Sequence, residues 1–457
     1  MLPSLTAALT AIVGPHGVLT PDDDLARYQE SPNNLSGIAA LVVRPASVDE
    51  VRRVLTTCRS HGAHIVPQGA NTGLVGAGLP DGSGTQVILS TERMRRTFDL
   101  DVDSRTLTVS AGWLLSDINQ RLAEWGLRLP IEVGSDPSVG GMVSTNIAGS
   151  NVIRYGDARR RTLGVQAVLA DPDTTVLDLL RPLRKQNEGL DLTQLFIGTG
   201  GTFGIVTAAS FELAYEPSSR ATAWIAIPDG STLPGVLRSF ERRCGEWLTA
   251  FELVSRSAIA LLADNYAGLL KRLPATDGDC VLVEVGTSWG GAEDVLVAVL
   301  EELDEQGLIG DTVVGTPDEL WEVRHVIPTI TERMSPVLSF DVATPRGKLN
   351  EFRRTVVERI AVRHPDLVPV ELGHYGDGGL HLILPLTPAA ATPDARAALV
   401  RLVYDTAVLE FDGTFSAEHG VGPKNADTYL RLTPPAARAL TDRIREAMDP
   451  AGLLGWR

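Results

Sequence analysis

Three glycine-rich segments in the first half of the chain constrain its fold more than any other feature. The first, Pro67-Gln68-Gly69-Ala70-Asn71-Thr72-Gly73-Leu74-Val75-Gly76-Ala77-Gly78, continues the strand-like run His64-Ile65-Val66-Pro67. Its four glycines allow successive backbone N–H groups to converge on one anion, and Asn71 and Thr72 add side-chain hydrogen bonds. No Lys-Ser/Thr pair follows, so the loop is not of the Walker type, and the Gly-x-Gly-x-x-Gly spacing of a Rossmann fold is absent. The second segment, Gly134 to Gly149, combines small residues, hydroxyls and an amide, and Arg154-Tyr155-Gly156 follows it. The third is Phe196-Ile197-Gly198-Thr199-Gly200-Gly201-Thr202-Phe203-Gly204-Ile205-Val206-Thr207. Each alone reads equally well as a tight bend. Together they argue for a large bound cofactor, because a large ligand needs the backbone to approach it at several points.

Around these segments the chain alternates strand and helix patterns. Leu41-Val42-Val43, Gln86–Ser90 and Thr106–Ser110 read as strands from their β-branched content. Ser47 is placed to cap a helix running to Arg59, and Leu114 to Glu124 is amphipathic. The pattern breaks at Glu216-Pro217-Ser218-Ser219, which sets a domain boundary; strand and helix patterns then repeat, and Pro435 to Met448 reads as a final helix.

Two C-terminal motifs carry chemistry of their own. In Gly373-His374-Tyr375-Gly376-Asp377-Gly378-Gly379-Leu380-His381, the Gly-Asp-Gly-Gly run has hairpin-turn composition. A loop at 376–379 sets His374 opposite His381 on one face, Cβ atoms roughly 5 Å apart. That is a two-histidine chelate; the alternative is two buried histidines satisfied by hydrogen bonds. A third ligand is available in Ser416-Ala417-Glu418-His419-Gly420-Val421-Gly422. In an extended segment Glu418 and His419 point oppositely, so one can ligate a metal while the other faces the reacting centre.

Composition narrows the partners. The 457 residues exceed what one core usually serves, so two or three domains are expected. A net charge of −16 disfavours nucleic acid and anionic membrane surfaces. No apolar run approaches the roughly 20 residues of a membrane span, and no Lys or Arg precedes the mildly apolar Met1 to Val13, so no signal peptide is expected. Three well-separated cysteines, Cys58, Cys244 and Cys280, fit reduced thiols in the cytoplasm. The oligomeric state stays open, a homodimer included.

The order Pro-Gln-Gly-x-Asn-Thr-Gly, Gly-Gly-x-x-x-Thr-Asn, Arg-Tyr-Gly and Gly-Thr-x-Gly-Ile-Val-Thr resembles the FAD-binding domain of the FAD-linked oxidase family, the fold shared with vanillyl-alcohol oxidase. Gly-His-x-Gly-Asp-Gly-x-Leu-His and Glu-His-Gly-Val-Gly are similar to the C-terminal signatures of its D-lactate, glycolate and D-2-hydroxyglutarate dehydrogenase group. The resemblance implies an α+β fold: a two-part FAD-binding domain over 1–217, an α+β substrate or cap domain over 218–412, and a C-terminal segment, 413–457, packing on the FAD domain and returning to the active site. It implies that Pro67, Gly69, Ala70, Asn71, Thr72, Gly73 and Leu74 hold the pyrophosphate. Ser135, Gly140, Gly141, Ser144, Thr145, Asn146 and Gly149 run beside the diphosphate and flavin, and Ile205 meets the adenine end through its backbone. The loop at 67–78 has no histidine, so FAD is expected to be non-covalent.

By the same resemblance His374, His381 and Glu418 bind a divalent metal, zinc being the first choice over manganese or iron. The implied reaction is oxidation of a 2-hydroxy acid to the 2-oxo acid, with His419 as general base and Arg324 clamping the substrate carboxylate. For Arg324 the alternative is a surface helix position. An oxidase using dioxygen, or a flavin-binding subunit of a larger complex, are the rival readings. The electron acceptor stays open among electron-transfer flavoprotein, quinone, cytochrome and oxygen. One stretch departs from the D-2-hydroxyglutarate pattern. A lysine, a threonine and an asparagine of that group fall here at Ser339, Pro328 and Ile383, which implies a monocarboxylic substrate; the alternative is that another residue, such as Lys348, reaches the pocket.

Overall fold

The computed structural model describes residues 2–31, 34–334 and 336–456. The chain divides into two units, Met1–Ala148 with Gly156–Glu216 and Glu418–Arg457, and Gly149–Tyr155 with Pro217–Ala417. From the sequence, breaks are expected at 217/218 and 412/413.

The first unit holds two principal sheets. In one, β1 (Val18–Leu19), β2 (Ala39–Val43), β3 (Ile65–Gln68) and β4 (Gln86–Ser90) lie in the order β1-β2-β4-β3. β2, β4 and β3 run parallel, and β2 and β4 are buried at every position, as strands covered on both faces must be. Between β2 and β3 the chain crosses over through α1 (Val48–Ser60). Ser47 starts it, its Oγ accepting from the Glu50 N–H at 3.2 Å. Val51, Val54, Leu55 and Cys58, at helical spacing, pack on Leu41, Val43, Val87 and Leu89.

The other sheet is antiparallel: β5 (Phe98–Asp101), β6 (Thr106–Ser110), β7 (Thr162–Val168), β8 (Val176–Asp178) and β9 (Ile205–Glu212), in the order β8-β7-β9-β6-β5. The helices Leu115–Leu122 and Val139–Thr145 pack Ile118, Leu122, Met142 and Val143 into the core with Val109, Val165 and Ala209. The C-terminal segment is part of this unit: Leu454 forms a parallel bridge to Ile65.

The second unit is one seven-stranded antiparallel sheet with helices. Its strands are β10 (Ser219–Ile227), β11 (Leu248–Val254), β12 (Asp279–Thr287), β13 (Thr312–Gly315), β14 (Val337–Ala343), β15 (Val370–Gly373) and β16 (Gly379–Pro385). They are ordered β13-β10-β12-β11-β15-β16-β14, so β11 is central. Two helices, α2 (Arg256–Tyr266) and α3 (Pro317–Arg333), cover one face, packing Leu262, Val323, Ile327 and Ile330 on Trp224, Val254, Leu282, Leu372 and Ile383. Directly paired residues share a face. Val254 pairs with Leu372, Leu372 with His381, and His381 with Asp341. Glu252, two residues before Val254, therefore lies with His381 and Asp341 on the helix-covered face.

Candidate functional site

In the first unit the side chains around β3 shape the glycine loop. Gln68 is buried, and its amide donates to the Gly78 carbonyl at 2.7 Å and the Tyr28 carbonyl at 2.8 Å, closing the loop at its base. Asn71 sits in the left-handed region at φ 58. Its amide donates to the carbonyls of Arg27 and Glu30 at 3.0 and 2.6 Å, fastening the loop to the N-terminal segment. Both of its N–H donors are thus engaged by protein, and its offer to an anion is from the backbone. Among the described residues, the backbone N–H groups of Ala70, Asn71, Thr72 and Gly73 reach no protein acceptor. Four consecutive donors without a protein acceptor are available to an anion.

The three glycine segments meet. A Cβ on Gly69 would collide with Ser138 Oγ and lie 3.3 Å from the Gly141 nitrogen, so only glycine permits this contact of the first segment with the second. The third joins the second through Gly198 N–H to the Val143 carbonyl at 3.1 Å and Gly200 N–H to the Ser144 carbonyl at 2.7 Å. Ser138 caps the helix whose first turn holds Gly140 and Gly141, and Thr145 Oγ1 donates back to the Gly141 carbonyl at 2.9 Å. Asn146 ends that helix at φ 54, bonded to Asp157 and to the Arg159 N–H at 2.8 Å each. Pro67 lies in β3, Leu74 in the loop after it, and Ser135 in the loop before the helix. Ile205 opens β9 with its side chain in the core, so only its backbone is on offer. Gly149 begins the short segment belonging to the second unit, where Arg154 donates to the Gly286 carbonyl at 2.6 Å. Close glycine packing beside a row of exposed backbone donors fits the diphosphate of a dinucleotide cofactor.

In the second unit the histidine turn differs from its expected register. The pairing sets Leu372, not His374, opposite His381. β15 stops at Gly373, whose φ is +123 and whose added Cβ would stand 3.0 Å from the His381 ring. The strand therefore ends before His374, and the turn begins there rather than at residue 376. The two imidazoles still meet, with centroids 5.1 Å apart and planes at 79°. Asp341 Oδ1 stands 3.8 Å from His381 Nδ1.

Behind His374 lies Glu252, fully buried on the central strand. One oxygen, Oε1, is 2.7 Å from His374 Nδ1, and Oε2 accepts from Arg324 Nε at 2.9 Å. Burial pushes this carboxyl up, but the neighbouring His374 and Arg324 outweigh burial and hold it down at about 2. Arg324 is itself only 7% exposed, which removes the surface-helix alternative. One turn earlier on α3, Trp321 Nε1 donates to the buried Glu284 at 2.9 Å, fixing the helix over the sheet.

The Glu-His motif follows directly. Thr414 bridges Ala343 on β14, and the Ala417 N–H donates to the Asp341 carbonyl at 3.3 Å. Glu418 is next in the chain. Residues 417–419 bend instead of extending, and Glu418 Oε1 comes within 3.4 Å of His419 Nε2. The expected opposite orientation of the two side chains is therefore not formed; Gly420, at φ 87, turns the backbone toward the following helix. In the first unit the Lys424 N–H reaches the Val75 carbonyl of the glycine loop at 3.3 Å.

Sequence reasoning missed Glu252 and Asp341. The signal was present: each is a lone acid inside a strand of otherwise apolar or small residues, Leu-Thr-Ala-Phe-Glu-Leu-Val and Val-Leu-Ser-Phe-Asp-Val-Ala. A carboxylate buried in such a strand requires a polar partner.

Comparison with known proteins gives the family and the fold. Residues 39–179 match the FAD binding domain family, and residues 216–455 match the C-terminal domain of FAD linked oxidases. The chain is 32% identical to the mitochondrial D-2-hydroxyglutarate dehydrogenase of Bos taurus, over 98% of this chain and 82% of that one. It is 29% identical to the D-2-hydroxyglutarate dehydrogenase of Stutzerimonas stutzeri, over 99% and 98%. The fold superimposes on p-cresol methylhydroxylase with a TM-score of 0.69 at 17% identity, covering 98% of this chain and 94% of that one. Among the described residues, no helix is long and apolar enough to cross a membrane.

Proposed function

The chain belongs to the FAD-linked oxidases, and from that premise we propose that it is an FAD-dependent dehydrogenase converting a D-2-hydroxy acid to the 2-oxo acid. The observation that carries this reading is the cluster of the buried Arg324 and Glu252 with the half-buried His374 and His381, in which one carboxylate joins the guanidinium to the first of two neighbouring imidazoles. The backbone donors of residues 70–73 and the segments packed against them would hold FAD non-covalently, and when bound it would supply the acceptor for the C2 hydride. We assign a divalent ion, zinc first, to His374, His381 and Glu418; when bound it would supply a Lewis acid that lowers the pKa of the substrate hydroxyl. Arg324 pairs with the C1 carboxylate and orients the acid. His419 takes the hydroxyl proton, adjacent in sequence to the Glu418 ligand.

The substrate is a monocarboxylic acid in this reading. Ser339 pairs with Ile383 on β14 and β16, one step along the same face from Asp341 and His381. Ile327 and Ile330 belong to the apolar cluster that covers this face, and Pro328 stands between them on α3. A second carboxylate would be desolvated against aliphatic carbon, which disfavours a dicarboxylic acid by several kcal/mol. The three free, buried cysteines suit a reducing compartment, and we place the protein in the cytoplasm.

The test is anaerobic bleaching of the bound flavin by a panel of D- and L-2-hydroxy acids. Bleaching by D-acids alone is expected; a yellow protein that no 2-hydroxy acid bleaches overturns the reading.

A further inference from the structure

Glu252 touches two groups that the reaction uses for different purposes. Its Oε1 is 2.7 Å from His374 Nδ1, and its Oε2 accepts from Arg324 Nε at 2.9 Å. We propose that Glu252 is a positioning residue that couples the substrate clamp to the metal ligand, one carboxylate fixing both; this rests on the function proposed above.

The chemistry of each contact sets what the other end of its partner does. A carboxylate at Nδ1 holds the proton on that nitrogen, so the lone pair of a neutral His374 is on Nε2, the atom that ligates. At the arginine, Oε2 engages Nε, which leaves the two Nη groups for a substrate carboxylate. Both orientations derive from a side chain with almost no freedom. Glu252 is fully buried, stands on the central strand of seven, and has buried Ala250 and Val254 beside it on the same face. The arginine needs such an anchor. Pro328 lies within α3, four residues after Arg324, and its missing N–H removes the helical donor to the Arg324 carbonyl. Glu284 performs no such double role: it meets Trp321, Arg220 and two threonines, none of them a proposed ligand or clamp.

Two substitutions in the full-length FAD-loaded enzyme test this. Glu252→Gln can still accept from Arg324 Nε through its amide oxygen. Its NH2 must then donate to His374 Nδ1, which moves the ring proton to Nε2 and blocks ligation. Glu252→Asp keeps the charge but is one methylene too short to span both contacts. After chelator treatment, zinc is titrated back against a chromophoric competitor, and KM for D-lactate is measured by flavin bleaching. In Glu252→Gln, zinc affinity should fall about 10- to 100-fold. KM should rise about tenfold, because a neutral amide replaces the charged acceptor that holds Arg324. Glu252→Asp should shift both constants in the same direction, and FAD content should stay at the wild-type level. A merely structural role lowers the melting temperature and the folded fraction but leaves both constants of the folded protein unchanged, which would overturn the proposal. Movement of only one constant overturns the coupling. A wild type that is bleached by D-lactate but takes up no zinc removes the metal assignment and this inference together, leaving the flavin reading intact.

Discussion

Replacing Ser339 by lysine should change which acid the enzyme prefers. Ser339 and Asp341 are alternate residues of β14, about 6.7 Å apart along the strand, on the face that carries His381. A lysine stem is about as long as that step, so its ammonium can reach the region beside the proposed metal ligands. In the wild type, a second substrate carboxylate would meet Ile383 and the aliphatic cover of α3 on the proposed placement. If only about 2 kcal/mol of its desolvation cost is realised, D-lactate is favoured over D-2-hydroxyglutarate by roughly 30-fold in kcat/KM. A charge-assisted hydrogen bond from the introduced lysine contributes about 1.5 to 3 kcal/mol, which shifts that ratio roughly 10- to 150-fold toward the dicarboxylate. The assay is anaerobic stopped-flow flavin reduction with both acids, wild type beside Ser339→Lys, at two ionic strengths. The gain should shrink only slightly with salt if the pair is sheltered from solvent. A wild type that prefers D-2-hydroxyglutarate, or a variant whose ratio does not move, refutes the placement of Ser339 in the pocket.

Other outcomes follow from the same geometry. His419→Ala should slow flavin reduction about 10²-fold or more while FAD stays bound; an unchanged reduction rate removes it from the role of base. Gly69→Ala forces Ser138 aside, so the purified protein should lose most of its yellow colour at nanomolar concentration and regain it with added FAD; full retention would show that the contact is slack. Gly373→Ala places a Cβ against the His381 ring at positive φ and should cost about 1 to 3 kcal/mol in denaturant unfolding, with weaker zinc uptake. His381→Ala should abolish zinc uptake without releasing FAD, as metal analysis beside the flavin spectrum will show.

Much of this was legible from residue patterns. Gln86–Ser90 and Thr106–Ser110 are strands over the bounds their β-branched runs suggest, and Pro435–Met448 is helical as its periodicity demands. The three glycine segments were legible as a group because backbone approach to a large ligand leaves a compositional trace. The histidine turn was misplaced by two residues. Turn composition marks Gly376 to Gly379, but the strand ends where Gly373 takes a positive φ, and a conformation imposed by a neighbouring ring leaves no local pattern. Glu252 was passed over for the opposite reason. Its meaning lies in partners 72 and 122 positions away, which no local periodicity records. The bend at 417–419 likewise follows a contact far off in the chain, the Ala417 N–H on the Asp341 carbonyl.

The side-chain amides of Gln68 and Asn71 have a kinetic consequence. They tie the glycine loop to the carbonyls of Arg27, Tyr28 and Glu30, residues that belong to no principal sheet and enter the chain well before the loop. Opening of that leading segment, which belongs to neither principal sheet, should then set the off-rate of bound FAD. Nicking the chain within the segment should turn a slowly dissociating flavoprotein into a rapidly exchanging one, with the melting of the two sheets scarcely altered. Cofactor retention would thus be a local unfolding equilibrium, separate from the stability of the domain that contains it.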